Sequence, residues 1–334
     1  MRDAGIGLII FMKNKHIELY KHIKVVVIGG GTGLSTLLRG LKHYTEHITA
    51  IVTVSDDGGS SGRLRKDMGI IPPGDIRNCL VALSASESLL ADLFQYRFHN
   101  VKDLEGHNFG NLFLVALSEV AGDFDKAIKE CSKVLAIKGK VLPATLDTVV
   151  LMAEMEDRSI VEGETSITAS KGTIRKVFLK PHTPKPQHEV IEAIKEADAI
   201  IFGPGSLYTS VIPNLLVPEI CSNIKTSRAI KIYICNVMTQ PGETDGFTAG
   251  DHIKTIFAHT GYAIFDYVLL NKKIPRQLLH KYKAQGAYPV ELDLKNITDL
   301  GVNVITDDLI SETDLVRHNS DKLARAILEL TVKS

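Results

Sequence analysis

Short apolar runs without alternation recur along the chain at residues 24–28, 48–54, 199–202 and 230–235, each bounded by polar or glycine-containing turns. Such runs predict strands covered on both faces, and helical periodicity fills the intervals between them. The first strand enters a glycine turn and then a helix that begins near Thr32. Further helices are predicted over 79–86, 87–98, 112–120, 123–137, 189–196 and 247–259. Between 139 and 180 the pattern changes. Alternating, β-branched segments at 140–144, 148–155 and 174–179 predict antiparallel strands joined by polar turns. A strand at 266–270, a helix at 276–282, strands at 288–293 and 302–305 and a helix at 320–331 complete the set. The expected fold is α/β, a Rossmann-like, doubly wound, mostly parallel sheet with a smaller β-rich insertion at about 139–180. Residues 1–22 read as an extension, expected to be disordered, ahead of a single domain at 23–334. The apolar stretch 5–12 is too short to span a membrane.

Chemistry concentrates at the strand ends. Lys24-Val-Val-Val-Ile-Gly-Gly-Gly-Thr-Gly33 puts glycines before a helix N-terminus, where bare backbone N–H groups and the helix dipole favour an anion. The dinucleotide fingerprint G-x-G-x-x-G fails in each frame: Gly29 and Gly31 lead to Leu34, and Gly31 and Gly33 lead to Thr36. The second strand delivers Ser55-Asp-Asp-Gly-Gly-Ser-Ser-Gly-Arg63. Asp56 falls where a ribose-binding acid would sit, but paired acids before a Gly/Ser loop suit phosphate oxygens or a metal ion. Asp75, with Arg77 and Asn78 after Pro72-Pro-Gly, is either a helix cap or a group aimed at the same ligand. His107-Asn-Phe-Gly-Asn111 opens another helix. Two later strands end in Gly203-Pro-Gly-Ser-Leu-Tyr-Thr209 and Asn236-Val-Met-Thr-Gln-Pro-Gly-Glu-Thr244. Together these loops imply one large cleft across the top of the sheet. The turn at 162–165 reads as a solvated hairpin tip, and His252 and His259 as core-edge or surface residues rather than ligands.

Composition narrows the class. Lys+Arg and Asp+Glu both number 39, so bulk charge provides no attraction to nucleic acid or an anionic membrane. Cys79, Cys131, Cys221 and Cys235 are scattered among apolar neighbours, as buried thiols of a reducing compartment are, and the protein is expected in the cytoplasm.

Taken together, Val27-Ile-Gly-Gly-Gly-Thr-Gly-Leu-Ser35, the Asp-Asp-Gly-Gly-Ser-Ser-Gly loop, Pro72-Pro-Gly-Asp-Ile-Arg-Asn78, His107-Asn-Phe-Gly-Asn111, Phe202-Gly-Pro-Gly-Ser-Leu-Tyr-Thr-Ser210 and the 236–244 segment resemble the YvcK family. These are the bacterial gluconeogenesis factors, relatives of the CofD 2-phospho-L-lactate transferases. The resemblance covers roughly residues 23 to 330. It implies a UDP-sugar ligand, especially UDP-N-acetylglucosamine, and a role in maintaining cell shape during growth on gluconeogenic carbon sources. The ligand-binding set so implied is Gly29, Gly30, Gly31, Thr32, Gly33, Asp56, Gly58, Gly59, Ser60, Ser61, Arg63, Asn78, Asn108, Asn111, Gly203, Gly205, Ser206, Thr209, Asn236, Thr239, Gln240, Glu243 and Thr244. Within it, 29–33 and 203–206 would cradle a diphosphate, and Asn236, Thr239 and Gln240 would read the base or sugar. The transferase branch implies instead a guanosine diphosphate donor, a deazaflavin alcohol acceptor and Mg²⁺ on Asp57 and Asp75. No segment here is assignable to the deazaflavin. An NAD-dependent oxidoreductase is the third reading, with His107 and Tyr208 as its candidates. No nucleic-acid partner and no membrane insertion are expected, and a homodimer is.

Overall fold

The computed structural model describes residues 18–85, 89–170, 172–312 and 315–333. The apolar stretch 5–12 lies outside them. Residue Tyr20 is buried, edge-on to Tyr44 with ring centroids 6.1 Å apart.

The strands run in chain order β1 (Val25–Gly29), β2 (Ile48–Val52), β3 (Lys140–Pro143), β4 (Val150–Met155), β5 (Ile160–Glu162), β6 (Ile174–Lys180), β7 (Ala199–Phe202), β8 (Ile230–Ile234), β9 (Tyr267–Asn271) and β10 (Asn303–Asp307). Seven of them form one sheet in the order β10-β9-β8-β7-β1-β2-β3. Every neighbouring pair in it is parallel. The chain winds outward from β1 through β2 to β3, then returns to the other side of β1 as β7. The crossovers therefore diverge between β1 and β7, and a crevice opens there above the carboxyl ends of the strands.

All residues of β1 and β7 are buried, which is why their sequences are unbroken apolar runs. The helix Gly31–Leu41 buries Leu34, Leu37, Leu38 and Leu41 against the sheet and the C-terminal helix Ser320–Lys333. The two helices approach so closely that a Cβ at Gly40 would lie 2.0 Å from the Ser320 carbonyl oxygen. A larger residue at that position would push the C-terminal helix off the core.

The insertion forms a three-stranded antiparallel sheet, β5-β4-β6. It begins later than its alternating pattern suggests: β3 belongs to the main sheet, pairing in parallel with β2 from Thr49↔Lys140 to Val52↔Pro143. β3 exposes Lys140 alone and buries 141–143, so a single lysine and a proline at a short strand are what break its apolar run. Residues 288–293 make only isolated bridges to Met238 and Thr248, and the helix Leu294–Asp299 follows. A short antiparallel hairpin, β11 (Ile310–Glu312) and β12 (Val316–His318), precedes the last helix.

Candidate functional site

The turns after β1 and β7 are built around each other. Gly30 caps the helix Gly31–Leu41 with no side-chain hydrogen bond, so Thr32 and Gly33 at its start present backbone N–H groups without a capping side chain. Gly31 has φ +68°, a conformation glycine adopts without penalty. A Cβ at Gly33 would lie 2.5 Å from the Pro204 carbonyl oxygen. One at Gly30 would lie 2.6 Å from an Asp75 carboxylate oxygen and from Thr53 Cγ2. Glycine is thus required for the β7 turn and the acidic group to close in on the helix start. Asn214, fully buried, locks this arrangement by donating from Nδ2 to the Gly29 carbonyl at 3.3 Å and the Ser210 carbonyl at 2.8 Å.

A cleft of about 380 Å³ opens from these turns. Its walls are Thr32, Gly33, Thr36, 204–206 and 236–241, and its far side is formed by Tyr282, Gln285, Ala287 and 316–318. The volume is in the range of small-ligand sites. Among the described residues its lining contains one cation, Arg317, which is exposed. His318 beside it has an unpartnered Nε2, and burial pushes its pKa down to about 4.

The predicted readers divide. Asn236 lines the cleft with no side-chain hydrogen bond to the described protein. Gln240 is engaged at both ends: Ser206 Oγ donates to its Oε1 at 2.6 Å, and its Nε2 donates to Glu243. Its backbone N–H donates to Thr244 Oγ1 at 2.9 Å. Thr239 exchanges hydrogen bonds with the Tyr288 backbone at 2.7 and 2.9 Å. Thr209 and Thr244 are buried beneath these loops. They shape the wall; Asn236 alone of the three predicted base readers keeps a free amide.

Beside the Gly30–Gly31 turn lies a group of acids. From Gly59 the Gly/Ser loop is already helical, as the helix Gly59–Met68. Asp56 Oδ1 accepts the Gly58 N–H at 2.9 Å, and burial raises its pKa, with the Asp57 charge adding to the rise. Asp75, in the first turn of Gly74–Leu83, accepts from Gly31 N–H and Asn78. Burial first, then the Asp56 charge, raises it to about 6. Arg77, buried, donates to Asn78 Oδ1 at 2.8 Å. Arg65 clamps the loop through the Ser55 and Asp56 carbonyls at 3.3 and 3.5 Å and through Val149. Arg63 is exposed and donates to the Glu105 carbonyl at 2.8 Å.

Asp57 points elsewhere. Its Oδ1 accepts the Thr165 N–H at 2.9 Å and the Thr165 hydroxyl at 2.7 Å, binding the acidic loop to the insertion. The turn at 162–165 is consequently not a solvated tip. It starts the helix Glu164–Ala169, and Glu164 joins the acids, with its pKa raised to about 9 by burial and then by Asp56, Asp75, Glu243 and Asp57. Glu243 is raised to about 7 by burial and accepts from Thr168 at 3.3 Å. No set of three or more His, Cys, Asp or Glu among the described residues has metal-holding geometry. Asp56 and Asp75 nonetheless suit Mg²⁺, which takes one or two carboxylates and completes its shell with substrate phosphates and water.

His107, Asn108 and Asn111 pack onto the start of Gly59–Met68. Ser60 Oγ lies 3.3 Å from His107 Nδ1 and from Asn108 N, and Asn111 Nδ2 lies 3.5 Å from Ser61 Oγ. Asn108 caps its own helix by accepting the Asn111 N–H at 3.1 Å. Both histidines of Ala249–Thr260 are structural: His252 is fully buried, and His259 Nε2 accepts the Val177 N–H at 3.0 Å while Nδ1 contacts the Thr255 carbonyl at 2.7 Å. The four cysteines are buried, free thiols.

A doubly wound α/β sheet with glycine turns at its switch point defines a Rossmann-like protein. Residues 25–310 match the CofD family, described as 2-phospho-L-lactate transferase CofD, and the chain belongs to that family, within its gluconeogenesis-factor (YvcK) branch. It is 55% identical to a gluconeogenesis factor of Halalkalibacterium halodurans over 92% of this chain and 97% of that protein. To the gluconeogenesis factor of Bacillus subtilis it is 52% identical, over 92% and 98%. The crystal structure of a upf0052 family member from Bacillus halodurans, 54% identical, superposes with a TM-score of 0.90 over 92% of this chain and 99% of the other.

Proposed function

We propose that this protein is a cytoplasmic gluconeogenesis factor that binds a UDP-sugar, such as UDP-N-acetylglucosamine, in the switch-point cleft, and that it sustains cell shape during growth on gluconeogenic carbon. The observation that carries this reading is the convergence on one cleft of an uncapped helix start at Thr32 and Gly33, a single arginine and the uncommitted amide of Asn236. Bare N–H groups and Arg317 would hold a diphosphate, since charge-assisted bonds to phosphate are the strong ones. The Asn236 amide offers a donor and an acceptor side by side, the complement of a uracil imide edge. The relatives' shared name, gluconeogenesis factor, supports the physiological part.

Two variants test it by equilibrium dialysis against labelled UDP-N-acetylglucosamine. Arg317→Ala should weaken binding about tenfold or more. At Gly31 a Cβ would make ordinary contact with Ser210 Oγ at 3.8 Å, so Gly31→Ala costs about 1–2 kcal/mol of backbone strain and should fold yet weaken binding. Unchanged affinity in both would sink the assignment.

Asp56 and Asp75 favour a second reading, Mg²⁺-dependent transfer from a nucleoside diphosphate donor. The ion would neutralise the diphosphate as the leaving nucleotide departs. Asp56 and Asp75 would hold it beside Gly31, and Arg65 would fix the loop that carries Asp56. Asp75→Asn should abolish product formation in an acceptor screen if this reading holds, and no product with any acceptor would remove it.

A further inference from the structure

We propose that β10 is a dimer interface, at which two copies of this chain pair edge to edge, antiparallel, across a two-fold axis and join their main sheets into one. β10 ends the main sheet and pairs only with β9. The Asn303 N–H donates to the Asp266 carbonyl at 3.0 Å, and the Lys272 N–H to the Asp307 carbonyl at 2.9 Å, which fixes the parity of the ladder. Residues 303, 305 and 307 turn their backbone groups towards β9, so the N–H and C=O of Val304 and of Thr306 point outward. Those four groups have no hydrogen bond among the described residues.

The two edges of the sheet differ. β3 is buried from Val141 to Pro143, whereas in β10 Asn303, Thr306 and Asp307 are exposed and Val304 and Ile305 half-buried. An open edge is ordinarily blunted by a lysine, a proline or a bulge. Asn303-Val-Ile-Thr-Asp307 has neither residue, and its register with β9 is unbroken. Its β-branched centre has high strand propensity.

A second copy fits because this edge is complementary to itself. With Ile305 on the two-fold axis, Val304 lies opposite the partner's Thr306, and Thr306 opposite the partner's Val304. Each pair exchanges two N–H···O=C bonds, so every free group is used. A slip of two residues either way would bring in residue 302 or 308 instead. Their N–H groups are already taken, by the Ile297 carbonyl at 3.4 Å and by Asp307 Oδ1 at 2.7 Å. Charge agrees with the same register. Asp307 faces the partner's Asn303 rather than another carboxylate. Asp307 and Asp308 are balanced by Lys272 at 3.6 Å, Lys273 at 3.7 Å and Lys322 at 2.9 Å, so the edges meet without a like-charge clash. Such an isologous, two-fold contact is the commonest form of homo-oligomer.

The test is sedimentation equilibrium of the full chain over roughly 1–100 µM, where an interface built on one short strand should take the mass from monomer towards dimer. Hydrogen exchange at the Val304 and Thr306 amides should slow as the concentration rises. Thr306→Pro removes an outward N–H without touching the β9 ladder, and Thr306→Lys adds an edge lysine. Each should lower the dimer affinity about tenfold or more, with a parent-like circular dichroism melt as the check of folding. A parent that stays monomeric at about 100 µM would overturn the proposal. So would a dimer equally strong in both variants, or one that forms without protecting the two amides. Protection of both amides at every concentration would overturn it as well, because the edge would then be covered within a single chain.

Discussion

Glu164 is the residue on which the electrostatics of the acidic group turn. Burial and four neighbouring carboxylates raise its pKa from 4.5 to about 9. A raised acid binds more protons folded than unfolded. Its favourable contribution is complete below pH 4.5 and is lost as pH rises towards 9. Glu164→Gln should therefore be more stable than the parent by an amount that grows across that window and is flat outside it. Discounted for partial solvation, the difference should reach about 2 kcal/mol at its upper end. Melting temperature against pH, measured calorimetrically for both proteins, checks this; parallel curves would mean that Glu164 is ionised and solvated throughout. Glu164 was hard to see in the sequence because Gly163 and Thr165 give it the surroundings of a hairpin tip. The carboxylates that define its role come from residues 56, 57, 75 and 243, and local pattern does not bring these together. Arg317 and His318 were missed for the same reason, since nothing near them in the chain marks a cleft whose other wall is at residue 32.

At the scale of elements, Asp57 and Thr165 join two parts of the molecule. The carboxylate accepts both the N–H and the hydroxyl of Thr165, in the first turn of Glu164–Ala169, and thereby acts as a cap supplied from 108 residues away. Thr165→Val removes the hydroxyl bond and keeps the shape. It should cost about 1 kcal/mol, the usual worth of a cap, and speed amide exchange selectively over 163–169. A uniform change over the whole chain would show that the insertion and the core unfold as one unit. His259 provides a second tie, accepting the Val177 N–H of β6. Burial holds its pKa below 6.5, so this tie is intact above pH 6.5 and weakens as pH falls through the folded pKa. Exchange at Val177 should accelerate in acid, and His259→Gln, which keeps an acceptor, should flatten that dependence. At this scale the sequence was most legible where strands are buried on both faces, as β1 and β7 are. It was least legible at β3, a short parallel edge with a lysine and a proline, and over 59–68, where Gly-Gly-Ser-Ser-Gly has low helix propensity. That helix persists because Ser60, Ser61 and Leu64 are buried and Arg65 ties it to the loop carbonyls.

Across the whole molecule, strand order makes the site. The expectation of a doubly wound parallel sheet with an antiparallel insertion holds, and the divergence of crossovers between β1 and β7 places the glycine turns face to face. The cleft beside Thr32 and Gly33 carries Arg317, and the acids gather at the neighbouring Gly30–Gly31 turn, where a Cβ at Gly30 would lie 2.6 Å from an Asp75 oxygen. No described helix is long and apolar enough to cross a membrane. The decisive measurement is calorimetric titration of the protein with UDP-N-acetylglucosamine, GDP and NAD, each with and without Mg²⁺. The UDP-sugar account predicts saturable binding of UDP-N-acetylglucosamine at least about tenfold tighter than either competitor, a difference of about 1.4 kcal/mol. Selective, Mg²⁺-dependent binding of GDP, or a preference for NAD, would contradict it.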